Sequence, residues 1–309
     1  MAAGTPLRVL ALAAAAAFGA FGTLAGTPPS AEADGGKART PIEHFVVLMQ
    51  ENHTFDNYFG TFPGAEGPPD GTCIPRDPNQ PSLGCVEPYH LESLKTVDLH
   101  HGRSIGLQAY NNGRMDGFIA AQNQRNLPGE VAMGYYDGRD LPFYWNLATE
   151  YVLADQFFSS VQGSSEANHF YWVAGQTPSG AIPEQGWAFP TIFDRLQEAG
   201  VTWKFYVQNY DPRATYRRGP HAERSAQFGR VPLLSYARYI DDPQLFSHIV
   251  PVSQYYDDLQ RGTLPAVSYI VPSGTSERPP SNISVDENSV APELLIVTSI
   301  VMYLVFSCI

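Results

Sequence analysis

Three short stretches bring together side chains capable of catalysis or metal ligation. The first is "VVLMQENHTF" (46–55), where an apolar run from Phe45 to Met49 ends abruptly on Gln50, Glu51, Asn52 and His53. A carboxylate and an amide at the end of a buried strand can ligate a divalent cation through hard oxygen donors. The same residues also fit an ordinary strand end turning into solvent, and Asn52-His53-Thr54 fits the Asn-x-Ser/Thr acceptor of N-glycosylation. The second stretch is "FFSSVQGSSEANHFYWVAG" (157–175). Gly163 permits a tight turn, and helical spacing from Glu166 to Ala174 places Ser164 or Ser165 at a helix N-terminus. Free N–H groups and partial positive charge at that position can hold a phosphate and stabilise an alkoxide. A serine there can equally be a plain N-cap. The third is "DLHHG", with His100 and His101, which would add imidazole nitrogen to the oxygen donors of Glu51 and Asn52. No CxxC, HExxH, P-loop or GxGxxG pattern occurs in the chain, which removes support for several other chemistries.

These side chains need elements to position them. Residues 44–49 read as a short buried strand. Residues 61–90 are dense in Pro and Gly and read as a long surface excursion. "LPFYWNLATEYV" (141–152) has helical spacing at Phe143, Leu147 and Tyr151, and Phe157 to Val161 could be a strand. In "TIFDRLQEAG", Thr191 and Asp194 form a capping box, Ile192, Phe193 and Leu196 an apolar face, and Gly200 a stop. "VTWKFYV" (201–207) follows as a strand. The pattern recurs in "VSQYYDDLQRG", which ends at Gly262 before the strand "LPAVSYIVP" (264–272). Helix, glycine, short turn, strand is the wiring of an α/β sheet covered by helices. Ligands in such sheets sit beyond the carboxyl ends of strands, where Glu51 and Asn52 fall.

The chain has 309 residues, 43% of them hydrophobic, and a net charge of −12. An acidic surface repels phosphate backbones, so no nucleic-acid partner is expected. A small phosphate ester remains compatible, because a bound metal ion inverts the local field. Arg8, an Ala-rich apolar stretch and the small residues Ala31 and Ala33 form a secretory signal, with cleavage expected after Ala33 and a secreted, extracellular product. Export permits disulfides, and a bridge between Cys73 and Cys85 would contribute about 2–3 kcal/mol by closing a small loop. Cys308 is left over.

Taken together, "IEHFVVLMQENHTFDNYFG", "NNGRMDGF", "MGYYDGRDLPFYWNLA" and "VQGSSEANHFY" resemble the bacterial phosphoesterase family of non-haemolytic phospholipases C and related acid phosphatases. His53 and Thr54 stand where that family commonly has Arg and Ser. The resemblance spans roughly residues 42 to 290. It implies an alkaline-phosphatase-like α/β sandwich, with a central, mostly parallel sheet covered by helices. It further implies hydrolysis of phosphate esters, phospholipids among them, by a hydroxyl nucleophile beside bound divalent metal. On this likeness Glu51 and Asn52 are metal ligands and Ser165 the nucleophile. Asn168 and His169 contact phosphoryl oxygens, and His101 is an active-site histidine with His100 one position away.

Departures from the family pattern are equally specific. After "VSYIVP" the family usually carries Ser-Glu-His-Pro-Pro, where this chain has Arg278 in place of the histidine. The family's downstream Asp-Asp and Asp-His segments, which supply further metal ligands, are absent. The chain instead ends in "PELLIVTSIVMYLVFSCI", with no charge after Glu293. Sixteen residues from Leu294 fall short of the ~20 needed to cross a bilayer as a helix. Residues 1–33 therefore read as a signal peptide, 34–290 as a partial phosphoesterase domain, and 291–309 as a divergent tail. That tail is either a membrane anchor or a replacement of the true C-terminal part, leaving the fold incomplete there. Membrane contact is expected only through the substrate or this tail. The two functional readings are a secreted metal-dependent phosphoesterase and a non-catalytic or tethered binding protein of the same fold.

Overall fold

A computed structural model describes residues 41–218, 225–272, 283 and 300–307. The signal-like N-terminus, Arg278 and most of the divergent tail lie outside the described residues. The apolar run of the first stretch forms strand β1 (His44–Glu51), buried from Val46 to its end. Short strands β2 (Ile74–Pro75) and β3 (Cys85–Val86) pair antiparallel. Between them the 61–90 excursion is closed by the expected Cys73–Cys85 disulfide, with Cα atoms 5.5 Å apart. Strands β4 (Tyr89–His90) and β5 (Gly134–Tyr135) pair in parallel. The remaining strands are β6 (Trp203–Val207), β7 (Ile249–Pro251), β8 (Val267–Val271) and β9 (Ile300–Ser307).

The central sheet has the order β7-β6-β8-β1-β9, and every pair in it is parallel. Parallel neighbours require crossovers, supplied here by helices. These are α1 (Phe55–Phe59), α2 (Arg103–Tyr110), α3 (Phe118–Asn123), α4 (Pro142–Glu150), α5 (Ser165–Ala174), α6 (Ile192–Glu198), α7 (Ser225–Arg230), α8 (Ala237–Asp241), α9 (Pro243–Phe246) and α10 (Ser253–Arg261). Among the described residues, no helix is long and apolar enough to cross a membrane. From the tail, residues 300–307 lie alongside β1 in register, from His44 opposite Ile300 to Glu51 opposite Ser307.

Both faces of the sheet are covered, which explains why β1 reads as a continuous apolar run rather than an alternating one. Side chains still alternate between faces. Val46 and Leu48 pack with Tyr58, Tyr144 and Tyr255 from α1, α4 and α10. Val47 packs on the opposite face with Phe170 and Val173 of α5 and Phe193 of α6. This parity places Glu51, four residues after Val47, on the α5 side, and Gln50 on the α4 side. Gln50 Nε2 accordingly donates to the Tyr144 hydroxyl at 3.5 Å.

Local signals set the helix ends. Thr191 and Asp194 form the expected reciprocal capping box of α6. Helix α10 stops at Gly262, whose φ of 64° is the left-handed conformation in which glycine carries no Cβ penalty. One expected element is absent: Phe157 to Val161 form no strand. Phe157 and Phe158 are 56% and 79% exposed. A β-prone run becomes a strand only where a neighbour pairs with it, and among the described residues none does.

Candidate active site

The carboxyl end of β1 is where the sequence-predicted residues meet. Glu51 is 3% exposed, and its Oε1 faces His169 Nε2 at 3.2 Å and accepts from Arg230 Nε at 3.1 Å. Ser165 lies near enough to Glu51 to favour its ionised form. Burial alone raises the Glu51 pKa. The hydrogen bond and charge of His169, the Arg230 guanidinium and the Ser165 hydroxyl outweigh it and hold the carboxyl well below the usual carboxylate range. Glu51 is therefore a fixed anion at neutral pH.

The two serines differ in position. Ser164 is the exposed N-cap residue of α5 and makes no side-chain capping bond. Ser165 is the first residue of the helix and half-buried. Its neighbours in the first turn present N–H groups with no partner inside the helix. Asn168 is buried. Its Nδ2 donates to the Val161 carbonyl at 3.2 Å and the Ser164 carbonyl at 3.4 Å, and its Oδ1 accepts from Val161 N at 3.2 Å. The Asn168 amide thus braces the loop that presents Ser165. His169 is 1% exposed, packs edge-on against Trp172, and has no partner for Nδ1 among the described residues.

Asn52 has φ 78°. Asn tolerates this left-handed conformation better than other non-glycine residues, so the backbone alone accounts for an asparagine at this turn. Thr54, the third residue of the glycosylation pattern, caps α1 by accepting from Asn57 N at 3.0 Å. His53 stacks on Tyr58 and shares a 2.7 Å hydrogen bond between Nδ1 and Asn57 Oδ1. Burial pushes its pKa down to about 4, against the opposing effect of the Asn57 bond. Between the ordinary value of 6.5 and about 4, the unfolded chain takes up a proton that the folded chain refuses. Stability linked to His53 is therefore fully present above pH 6.5 and declines on acidification toward pH 4, by about 1.4 kcal/mol per unit. Urea denaturation of wild type and His53→Gln between pH 5 and 7 checks this: the variant is expected to lose the slope, and equal slopes would contradict the assignment.

His100 and His101 lie apart from the Glu51 cluster in their recorded contacts. The His100 backbone is held at both N and O by the Gln122 amide. His101 Nδ1 lies 2.7 Å from the Leu99 carbonyl. A carbonyl only accepts, so Nδ1 carries a proton. Loop 157–164 reaches this region through Gln162 Nε2, which donates to the Gly106 carbonyl of α2 at 3.1 Å.

Two features escaped sequence reasoning. Arg230, at the end of α7, is separated from Glu51 by 179 positions, and no local pattern marks it. The second is a cluster of His90, Asp137 and Asp140, whose ligand atoms all lie within 4.8 Å of one another.

An all-parallel sheet flanked by helices, with a buried carboxylate, an imidazole and a guanidinium meeting at the end of β1, defines an α/β protein with a charged cluster at its strand ends. The sequence profile of the Phosphoesterase family matches residues 42–299, and the chain belongs to that family. Its sheet and helices agree with the family's alkaline-phosphatase-like arrangement. Among curated relatives, a non-hemolytic phospholipase C of Pseudomonas aeruginosa is 31% identical over 77% of this chain and 36% of its own length. Phospholipase C B of Mycobacterium tuberculosis is 29% identical over 93% of this chain and 61% of its own. Non-specific phospholipase C3 of Arabidopsis thaliana is 25% identical over 72% and 47%. The chain thus spans between about a third and three-fifths of the length of these relatives.

Proposed function

We propose that this chain is an exported hydrolase of phosphate esters in which Ser165 is the nucleophile, with a phospholipid headgroup ester as the favoured substrate class. The observation that carries the proposal is the meeting of His169 and Arg230 on the buried carboxylate of Glu51, with Ser165 at the start of the helix that carries His169. The relatives' names support the phospholipid class, and the signal-like residues 1–33 support export.

Phosphoryl transfer depends on positioning and on neutralising the three nonbridging oxygens more than on covalent strain. A carboxylate held far below its usual range is a weak base, so Glu51 orients the Ser165 hydroxyl rather than deprotonating it. The first turn of α5 offers N–H groups to the phosphoryl oxygens. Arg230 is only 11% exposed in its side chain, and its planar fork suits a phosphoryl group. Asn168 acts as a positioning residue by bracing the Val161–Ser164 loop. His169 fixes Glu51 from the buried side. His101, its Nδ1 held by the Leu99 carbonyl, is the candidate to exchange a proton with water or leaving group.

The donors of Glu51, Asn52 and Ser165 are hard oxygens of the type a divalent cation takes. Glu51 and Asn52 would hold that ion, which when bound would neutralise phosphoryl charge and lower the pKa of a hydroxyl. The non-catalytic reading draws on one observation: Arg230 already supplies a positive charge to Glu51. Assay of the purified chain against p-nitrophenyl phosphate and phosphatidylcholine vesicles, with Mg²⁺ or Mn²⁺ and after chelation, separates the two. Turnover of either substrate that chelation suppresses is the expected result, and no release from either would leave the binding-protein reading standing.

A further inference from the structure

Outside the Glu51 cluster, one group of side chains has ligand geometry without a role in the proposed reaction. His90 ends β4, and Asp137 and Asp140 sit on the turn between β5 and α4, so residues up to 50 positions apart meet here. His90 Nε2 lies 2.7 Å from Asp140 Oδ2 and 4.0 Å from Asp137 Oδ2. Asp140 Oδ2 also accepts from Asp137 N at 3.0 Å. The turn is closed by Asp140 N and Leu141 N, which both donate to the Asp137 carbonyl at 3.0 Å. All three side chains are partly buried, with their orientation set by backbone structure rather than by solvent.

A His–Asp hydrogen bond needs one carboxylate. The second places like charge beside the first, which is unfavourable unless a cation compensates. Arg139 supplies part of that compensation. Its guanidinium grips both Asp137 oxygens, Nε at 3.0 and 3.1 Å and Nη2 at 2.6 Å. Yet the Arg139 side chain is 73% exposed, so it approaches from solvent and can withdraw at little cost.

We propose that His90, Asp137 and Asp140 form a binding site for a divalent cation of the Zn²⁺ type, distinct from the Glu51–Asn52 site, for which Arg139 is the built-in competitor. One imidazole nitrogen and two carboxylate oxygens are the three-ligand set that Zn²⁺ completes with water. The imidazole selects against Mg²⁺ and Ca²⁺, which take all-oxygen sets. The site would pin the 137–140 turn to β4. The adjoining Gly134–Tyr136 segment grips α1, since Asn57 Nδ2 donates to the Gly134 carbonyl and Tyr136 N to the Asn57 carbonyl, both at 2.7 Å. Bound cation would therefore stiffen the support beneath the end of β1.

Isothermal titration of the chelator-treated full chain with Zn²⁺, and separately with Mg²⁺, tests the proposal without any assay of activity. In wild type, one of the bound Zn²⁺ equivalents is expected to be weakened by about ten-fold or more in His90→Gln and Asp140→Asn, and not to be replaced by Mg²⁺. Arg139→Gln, a change at an exposed side chain, is expected to tighten the same equivalent. Unchanged Zn²⁺ stoichiometry and affinity in His90→Gln, or weaker binding in Arg139→Gln, would overturn it. These two variants keep the proposal decidable where Asp140→Asn fails to fold.

Discussion

Ser165→Ala is expected to lower phosphate-ester turnover by about 10³-fold or more while leaving the fold intact, and Ser164→Ala to leave turnover within a few-fold of wild type. The asymmetry follows from position. Ser165 is half-buried and is the first residue of α5, whereas Ser164 is exposed and makes no capping bond. Losing the Ser165 hydroxyl leaves the contacts of Glu51 with His169 and Arg230 in place. Circular dichroism and urea midpoints should therefore stay close to wild type. Steady-state kinetics on p-nitrophenyl phosphate separate the two serines, and comparable losses in both variants would mean that the loop, not a nucleophile, had been disturbed.

The second large effect falls on stability. Glu51→Gln is expected to destabilise the chain by about 3–5 kcal/mol, because it removes the buried negative charge that Arg230 donates to and His169 faces. Against the 5–15 kcal/mol typical of a folded domain, this is a large fraction. The sign of its pH dependence is fixed by the lowered Glu51 pKa. The stabilisation from the ionised carboxylate is fully present above the unfolded value of 4.5 and is lost as pH falls below it, since the unfolded chain then binds a proton that the folded chain does not. The gap between wild type and variant, measured by urea denaturation, should be widest near neutrality and narrow below pH 4.5. A gap that widened on acidification would contradict the assigned charge state.

Much of the frame was readable from local chemistry. The run before Gln50 announces β1 and its polar end. Thr191 with Asp194 marks the start of α6, and Gly262 marks the end of α10. Each of these signals acts over a few residues, where propensity and capping dominate. The expected strand at Phe157–Val161 failed for the complementary reason, because strand formation needs a partner that the segment itself does not encode. The site divides along the same line. Glu51 and Ser165 were reachable as a strand end and a helix start. Arg230, 179 positions from Glu51, and the His90–Asp140 pair, 50 positions apart, exist only once the sheet and its crossovers have formed. Asn52 shows the opposite hazard, since a residue chosen as a ligand also satisfies a left-handed backbone turn.

The central claim is that Ser165 takes the phosphoryl group. The most direct measurement is acid-quench mass spectrometry of the chain during turnover of a phosphomonoester, with fragmentation of the peptide that contains Ser164 and Ser165. A phosphoryl adduct on Ser165 that forms and decays with turnover is the predicted result. Turnover without an adduct on Ser165, or with the adduct on Ser164, would contradict it.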